Sequence, residues 1–272
     1  MIPKDHITAW RAYAPWVIDA QVEQDLVISR ALVEMFCVPE LASRLLLRGG
    51  TALYKLYFTP AVRYSEDIDL VQAQSEPIGE TIDLLRAVLD PWLGTPRRQI
   101  KEGRVNLVYR FASEDTPPLK MRLKVEINTR EHFSEHGRKS MPLAVDSPWF
   151  RGEADVPTFA LDELLGTKLR ALYQRKKGRD LFDLWHALDT GQATPSVMIA
   201  CLKRYMSESG QAVSRAQFEE NLAGNRNRHD FREDIEPLLR PGVTWDFDVA
   251  MNTVLERIIA ELPGDRWKGP SE

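Results

Sequence analysis

The stretch Ser65-Glu-Asp-Ile-Asp-Leu70 alternates polar and apolar residues. Side chains two positions apart lie on the same face of a β-strand, so we expect Asp67 and Asp69 to project together. Ile68 and Leu70 then point into the core. Two carboxylates a few ångströms apart repel each other unless a cation lies between them, and Mg²⁺ prefers oxygen ligands. The pair is therefore a candidate metal site, and the alternative is a solvated strand end.

A glycine turn precedes the acidic pair. The apolar run Leu45-Leu-Leu47 is followed by Arg48, Gly49, Gly50 and Thr51, after which helical spacing resumes. This order predicts a strand, a turn and a helix that starts at Thr51. Unshielded N–H groups at the two glycines and the first turn of a helix both favour an anion, which makes the turn a candidate cradle for a triphosphate. A tight structural connection is the alternative.

Several polar side chains flank the turn and the acidic pair. They are Arg48, Lys55, Arg63 and Ser65. Cations and a hydroxyl donor are the groups that bind phosphate oxygens in proteins. We therefore expect these side chains to converge where the phosphates of a nucleotide would lie.

A further strand is predicted over residues 119–128, where apolar residues alternate strictly with Lys120, Arg122, Lys124, Glu126 and Asn128. If this strand lies beside the acidic pair, Glu126 is placed to supply the third carboxylate of a two-metal site. The alternative is an exposed strand face on which Lys124 and Glu126 pair.

The remaining pattern divides the chain in two. Helical spacing over residues 16–36 and 81–92, together with alternation over 105–111, predicts an α/β core, an α+β mixed sheet flanked by helices. From about Leu161 the pattern is helical, with helices expected near 161–176, 180–189, 195–207, 215–224, 230–239 and 246–262. We therefore predict one domain over residues 1–158 and an all-helical domain over residues 159–272.

Composition restricts the class of protein. A net charge of −4 argues against a general polyanion-binding coat, so any phosphate site must be a local patch. Cys37 and Cys201 lie in separate apolar patterns, which predicts two buried thiols rather than a disulfide or zinc framework. The start of the chain is unlike a signal peptide, and no apolar run has the length of a membrane span. A cytoplasmic protein with no membrane contact is expected.

The motifs around the acidic pair closely resemble a known family. Gly49-Gly-Thr-Ala-Leu53 followed by Arg63-Tyr-Ser-Glu-Asp-Ile-Asp-Leu70 resembles the first motif of the AbiEii family of nucleotidyltransferases. A second block, Leu164–Arg175 followed by Gly178–Leu184, resembles that family's later lysine and aspartate motifs. Together the motifs span residues 47 to 185 in the order found in the family.

Helical geometry tests the second block independently. Lys168 and Arg175 fall on the same helix face as several leucines, and a charge on an apolar stripe needs a partner. Lys168 therefore reaches a phosphate, pairs with a carboxylate, or extends to a domain border. On the next helix, Asp180 is the better candidate for an inward site, or it caps that helix. Asp183 is expected to project away.

The resemblance implies a toxin of an AbiE-type toxin–antitoxin pair that transfers a nucleoside monophosphate from an NTP with the help of Mg²⁺. It implies roles for these residues: Asp67 and Asp69 bind metal, Gly50, Thr51, Arg63 and Ser65 contact nucleotide, and Lys168 and Asp180 complete the catalytic set. The assignment of Glu126 rests on strand geometry, because the family motif is loose there. We expect the site in a cleft between the two domains.

The identity of the acceptor is left open by the sequence. Some relatives modify the 3′ end of tRNA, which predicts RNA as a partner alongside an AbiEi-type antitoxin. A small molecule such as an aminoglycoside, or a protein hydroxyl, is an alternative acceptor. A nucleotide-binding regulatory module without turnover is a hypothesis of another class.

Overall fold

The computed structural model describes residues 2–269, which divide into two compact units. The first unit ends at Phe159 and also includes Leu239–Gly242, whereas the second contains Ala160–Leu238 and the segment that begins at Val243. The prediction of a single boundary near residue 158 does not anticipate the return of the chain at Leu239. Met1 and residues 270–272, at the ends of the two predicted domains, lie outside the described residues.

Seven strands form one mixed sheet in the first unit. They are β1 (Leu45–Arg48), β2 (Ile68–Gln72), β3 (Arg97–Lys101), β4 (Arg104–Ala112), β5 (Lys120–Asn128), β6 (Arg138–Asp146) and β7 (Arg151–Phe159). Their order across the sheet is β3-β4-β5-β2-β1-β7-β6. The pairs β2–β5 and β1–β7 are parallel, and the other neighbours are antiparallel. The predicted α/β class with a mixed sheet is confirmed.

Five helices accompany this sheet: α1 (Lys4–Trp10), α2 (Asp19–Phe36), α3 (Pro39–Arg44), α4 (Gly49–Ala52) and α5 (Gly79–Leu93). The short α4 continues as a π-helical turn over Leu53–Tyr57. It begins at Gly49, two residues before the predicted start, so both glycines belong to the first helical turn.

One face of the sheet is buried under helices. Tyr109 of β4 is fully buried, and its hydroxyl donates to Asp90 Oδ1 of α5 at 2.9 Å. Leu123, Val125 and Ile127 of β5 are also fully buried, whereas the residues between them are at least partly exposed. The alternation predicted for these two strands is confirmed, and it leaves their other face open to solvent.

Among the described residues of the second unit, up to residue 269, there are six helices: α6 (Leu161–Arg175), α7 (Gly178–Asp189), α8 (Pro195–Ser207), α9 (Arg215–Asn225), α10 (His229–Arg232) and α11 (Phe247–Arg257). The prediction of an all-helical region is confirmed. The last two helices are shorter than predicted, and each is followed by a 3₁₀ turn, over Glu236–Leu238 and Ile259–Glu261.

Three strands were not predicted, because they lack a clear apolar period. No residue of β3 is buried. In β6 only Leu143 and Val145 are buried, and β7 contains Pro157. Pairing with neighbouring strands, rather than local pattern, therefore determines their structure.

The prediction of two buried thiols is half right. Cys201 is buried, but Cys37 is exposed because it follows the last residue of α2. Among residues 2–269, no helix combines the length and the apolarity that crossing a membrane requires.

Candidate active site

The acidic pair lies at the beginning of β2. Asp67 directly precedes the strand, and Asp69 is its second residue. Ile68 and Leu70 are buried, whereas both aspartates are partly exposed. Apolar neighbours thus anchor two carboxylates that solvent can reach.

Glu126 lies directly beside Asp69. In the parallel ladder between β2 and β5 the two residues are register partners, and Arg48 of β1 is the partner of Asp69 on the other side. The strand adjacency on which the prediction for Glu126 depends is therefore present.

Lys124 of β5 pairs with two of these carboxylates. Its Nζ lies 2.9 Å from Asp67 Oδ2 and 3.4 Å from Glu126 Oε2. Arg104 Nη1 is 3.3 Å from Glu126 Oε1. The charge pairing of Lys124 with Glu126, which the sequence offered as an alternative to metal binding, is present.

Burial and the Lys124 ion pair set the pKa values of this group. Burial is the largest cause of the raised pKa of Asp67; Lys124 lowers that pKa, and the carboxylates of Asp69 and Glu66 raise it by smaller effects. Burial lowers the pKa of Lys124, but its hydrogen bond to Asp67 and the charges of Asp69 and Glu126 outweigh burial and raise that pKa overall. The ammonium of Lys124 is therefore held in its charged form by the surrounding carboxylates.

The glycine turn packs against the acidic pair. Gly49 has a φ of +77°, and a Cβ at this position would lie 2.3 Å from Asp69 Oδ2. A Cβ at Gly50 would lie 2.9 Å from Arg63 Nη2 and 3.0 Å from Ser65 Oγ. Only glycine permits this approach, which brings the predicted phosphate turn, Asp69, Arg63 and Ser65 together.

Thr51 holds the loop that carries the acidic pair. Its side chain is 2.9 Å from Ser65 Oγ, and its hydroxyl also donates to the backbone carbonyl oxygen of Asp67. Thr51 is only 1% exposed. In this arrangement it positions Asp67, and its predicted contact with nucleotide stays a prediction.

Arg63 is buried beneath the turn. Its guanidinium carbon lies 4.5 Å from the ring centroid of Tyr54, and Nη1 donates to the backbone oxygen of Tyr64 at 2.9 Å. The backbone of Arg63 forms a β-bridge with Leu239. Because Arg63 is only 2% exposed, contact with a nucleotide requires a shift of its side chain, and that role also stays a prediction.

Two flanking cations have carboxylate partners. Lys55 Nζ lies 2.7 Å from Asp25 Oδ1, a buried carboxylate that also accepts the indole N–H of Trp10 at 2.9 Å. Arg48 Nη1 lies 2.6 Å from Glu131 Oε2. Lys55 therefore neutralises a buried aspartate instead of converging on the turn, which corrects the prediction.

Replacing Gly49 with alanine is expected to disturb the site, and Gly94 provides the matched control. Both glycines have a φ of +77°, but a Cβ at Gly94 meets nothing within 4 Å. Gly94→Ala should lose about 1–3 kcal/mol of unfolding free energy, because a φ of +77° with a ψ of −175° is a backbone conformation that other residues rarely adopt, and it should keep the predicted nucleotidyl transfer. Gly49→Ala should lose at least as much stability and about a hundredfold in transfer, because Asp69 is displaced. Urea unfolding and labelled-NTP assays measure both; equal transfer in the two variants would contradict this account.

A buried ion cluster in the second unit contains the downstream predicted residues. Lys168 Nζ of α6 lies 3.1 Å from Asp180 Oδ1 and 2.9 Å from Asp183 Oδ2, both on α7. Arg175 donates to both oxygens of Asp180 at 2.8 Å. Burial raises the pKa of Asp180, but Lys168 and Arg175 outweigh it and hold that pKa below its usual value.

The cluster contains the structural ion pair that the sequence left as an alternative for Lys168. The prediction that Asp183 projects away from the core was wrong, since its side chain is fully buried. Asp180 and Asp183 are three residues apart and therefore share a helix face, which is the signal that could have identified the second partner. The catalytic roles of Lys168 and Asp180 stay predictions.

The donor chemistry of the acidic pair fits Mg²⁺. This ion is usually held by one or two carboxylates, with substrate phosphates and water completing its shell. Within residues 2–269, no group of three or more His, Cys, Asp or Glu side chains is arranged to hold a metal ion. Asp67 and Asp69 are carboxylates of the kind that such a shell uses. The metal role of Glu126 stays a prediction, because its carboxylate pairs with Lys124 and Arg104.

Comparisons with solved structures give relatives of the same fold. MenT4, a nucleotidyltransferase toxin from Mycobacterium tuberculosis H37Rv, superposes with a TM-score of 0.70 at 17% identity, over 97% of this chain and 91% of that chain. A candidate nucleotidyltransferase from H. pylori superposes with a TM-score of 0.51 at 15% identity, over 89% of this chain and 97% of that chain. At these identities the likeness shows the fold alone.

The family itself is shown by the sequence of the chain. No curated protein matches it. Residues 30–253, however, match the family described as nucleotidyl transferase AbiEii toxin of the type IV toxin–antitoxin system. This range covers most of the chain, including the glycine turn, the acidic pair and the cluster around Lys168. The chain therefore belongs to the AbiEii family of nucleotidyltransferase toxins of type IV toxin–antitoxin systems.

Proposed function

We propose that this toxin transfers a nucleoside monophosphate from an NTP to the 3′ end of tRNA, in a reaction that depends on Mg²⁺. The observation that carries the proposal is the pair of neighbouring carboxylates Asp67 and Asp69, of which Asp69 lies directly against Gly49. Carboxylates and unshielded N–H groups are the two elements that a metal-bound triphosphate needs. Capping the acceptor end of tRNA would halt translation and growth.

The roles of the residues follow from their contacts. Asp67 and Asp69 would hold Mg²⁺, which supplies positive charge to the triphosphate and to the attacking oxygen. Gly49 and Gly50 let the side chains of Asp69, Arg63 and Ser65 lie directly against the turn, and the backbone N–H groups of the turn would bind the phosphates. The acceptor hydroxyl would attack the α-phosphorus of the NTP in line with the bond that joins it to the pyrophosphate group. That bond breaks, and pyrophosphate leaves. Positioning and charge stabilisation account for most of such catalysis.

The family resemblance also assigns Lys168 and Asp180 to the catalytic set. Their contacts support a positioning role, because Lys168 Nζ lies between Asp180 and Asp183 inside the second unit. Thr51 has a comparable role in the first unit, where its hydroxyl holds the backbone of Asp67.

Partners and location follow from the proposed chemistry. The type IV system to which the family belongs implies an antitoxin partner, and we expect it to be AbiEi-type. Because NTPs and tRNA are cytoplasmic, the toxin is expected to act in the cytoplasm, away from membranes.

The decisive experiment supplies all candidate acceptors at once. Purified protein is incubated with Mg²⁺, total RNA, a heat-inactivated protein extract, an aminoglycoside and each α-³²P-labelled NTP in turn, and the products are separated into RNA, protein and small molecules. We expect label in tRNA with one or two of the four NTPs, and none after periodate oxidation of the tRNA 3′ terminus. Chelation of the metal with EDTA should abolish labelling. Label found only in protein or in a small molecule would contradict the RNA acceptor.

A regulatory module without turnover makes the opposite prediction for toxicity. In that case, nucleotide binding alone would inhibit growth, and a variant that binds NTP without transferring it would remain toxic. The enzyme hypothesis instead predicts that growth inhibition and tRNA labelling are lost together.

A further inference from the structure

We propose that the open face of β3, β4 and β5 binds the phosphate backbone of the acceptor RNA; this inference rests on the proposed function and assigns a second surface to it. The surface is called the basic face here. It consists of Arg97, Lys101, Arg104, Arg110, Lys120, Arg122 and Lys124.

Strand register places these side chains on one face. Lys120, Arg122 and Lys124 are two residues apart on β5, so they project together. Arg110 is the register partner of Arg122, and Arg104 is the partner of Asn128 on the same face. On β3, Lys101 is the register partner of Arg104 and therefore lies on the same face. Arg97 lies on this face too, because its partner is Val108, whose own partner on β5 is Lys124. All seven cations except Lys124 are exposed.

The same face contains the carboxylates of the active site. The residues that alternate with the cations on β5 include Leu123 and Val125, which are fully buried on the other side. Glu126, two residues after Lys124, is the register partner of Asp69. The basic face therefore borders the acidic pair. Lys124 belongs to the basic face, and its ammonium group also contacts Asp67.

The pair formed by Arg110 and Arg122 is costly for the free protein. Like charges directly opposite each other on neighbouring strands destabilise a sheet. Within the described part of the chain, neither arginine has an ion-pair partner. A bound polyanion would offset the repulsion between the two arginines. Binding of a polyanion therefore accounts for a pair of residues that does not stabilise the free protein.

Protection of a sheet edge explains only part of this surface. Lysine and arginine on an exposed edge prevent association with other sheets, which is sufficient for Arg97 and Lys101 because β3 is the edge strand. Arg110 and Arg122 lie beyond the residues at which β3 pairs with β4 and β2 pairs with β5, so among the described strands each has only the other strand of this pair beside it. Edge protection, however, does not account for two arginines placed directly opposite each other, because that placement costs stability.

The size of the surface favours a polymer over a small acceptor. From Lys120 to Glu126 the strand rises about 20 Å, and β3 to β5 spans about 10 Å. A small-molecule acceptor would use only part of this area. The chain as a whole has a net charge of −4, so the cations are concentrated locally, as expected of a track for phosphates.

The test separates RNA binding from transfer by measuring affinity without NTP or metal. Fluorescently labelled, deacylated total tRNA is titrated with wild-type protein, with Arg110→Glu/Arg122→Glu, and with Lys139→Glu/Lys203→Glu. The last variant has the same change of charge at exposed lysines outside the basic face. We expect the arginine variant to bind tRNA about tenfold or more weakly and the lysine variant within about twofold of wild type.

Neutral substitutions check the mechanism. Arg110→Gln/Arg122→Gln should reduce the slope of log affinity against log salt by about 1.4, at about 0.7 for each lost phosphate contact. Its unfolding free energy should equal or exceed that of wild type, because the like-charge pair is removed. A loss of stability would indicate a structural role and overturn the inference.

The outcomes distinguish this inference from the proposed function. If the charge-reversed arginine variant binds and labels tRNA as well as the lysine variant does, the inference is wrong while the proposed function stands. If wild type labels only a small molecule or protein and does not bind tRNA, both fail. Binding of wild type to phosphatidylserine vesicles in place of tRNA would assign the basic face to a membrane and overturn the inference.

Discussion

Asp69→Asn is expected to reduce nucleotidyl transfer by about a thousandfold or more while the protein stays folded. Asparagine keeps the shape of the side chain, so the close contact with Gly49 is preserved, but it removes the negative charge that would bind Mg²⁺. Metal stabilisation of transition-state charge contributes several kcal/mol, and about 4 kcal/mol corresponds to a thousandfold in rate. Initial rates of tRNA labelling measure the loss.

Stability should change little in this variant. Neutralising Asp69 relieves its repulsion of Asp67 but also removes its attraction for Lys124, so the two effects oppose each other. Asp83→Asn is the matched control, since Asp83 is an exposed aspartate on α5; it should transfer like wild type. An Asp69→Asn variant that keeps more than about a tenth of the wild-type rate would exclude Asp69 as a required metal ligand.

Lys168→Met is expected to lower the unfolding free energy by about 3–5 kcal/mol, the usual effect of removing one partner from a buried ion pair. Asp180 keeps Arg175, but Asp183 loses the ammonium 2.9 Å from its Oδ2. Urea unfolding measures the change. Lys203→Met on α8 replaces an exposed lysine and should change stability by about 0.5 kcal/mol or less.

A double variant keeps this prediction testable if Lys168→Met folds poorly. Lys168→Met combined with Asp183→Leu removes the carboxylate that has lost its ammonium contact as well, so it should be more stable than Lys168→Met alone. If Lys168→Met retains wild-type stability yet abolishes transfer, the buried ion cluster is not the main role of Lys168, and the catalytic interpretation is favoured.

Local patterns predicted those parts of the site that local geometry determines. The alternation around Asp67 and Asp69 predicted that the two carboxylates lie near each other, and in the structure both interact with Lys124, although Asp67 lies just before the strand. The same rule predicted the open face of β5 that contains Glu126. The turn was recognisable from its glycines, because glycine is the residue that readily adopts a positive φ. Gly49 has a φ of +77° in the structure.

Partners that are distant in sequence were not predictable in this way. Nothing near Lys55 indicates that its ammonium belongs to Asp25, thirty residues earlier on a helix that is mostly buried. The prediction for Asp183 was wrong because a helical projection shows only how far a residue lies from the apolar face of its own helix. Asp183 lies outside that face, yet it is buried because Lys168 of the neighbouring helix contacts it. Such pairs depend on tertiary packing, which a single sequence does not encode locally.

The return of Leu239–Gly242 to the first unit has a consequence for the order of events during synthesis. Arg240 donates its backbone N–H to the carbonyl oxygen of Val62 at 2.9 Å, next to the bridge between Arg63 and Leu239. Roughly 80 residues separate Phe159 from this segment, which takes a ribosome about 4–16 s at 5–20 residues per second. A nascent toxin therefore completes the backbone pairing beneath its glycine turn only when most of the chain has been translated.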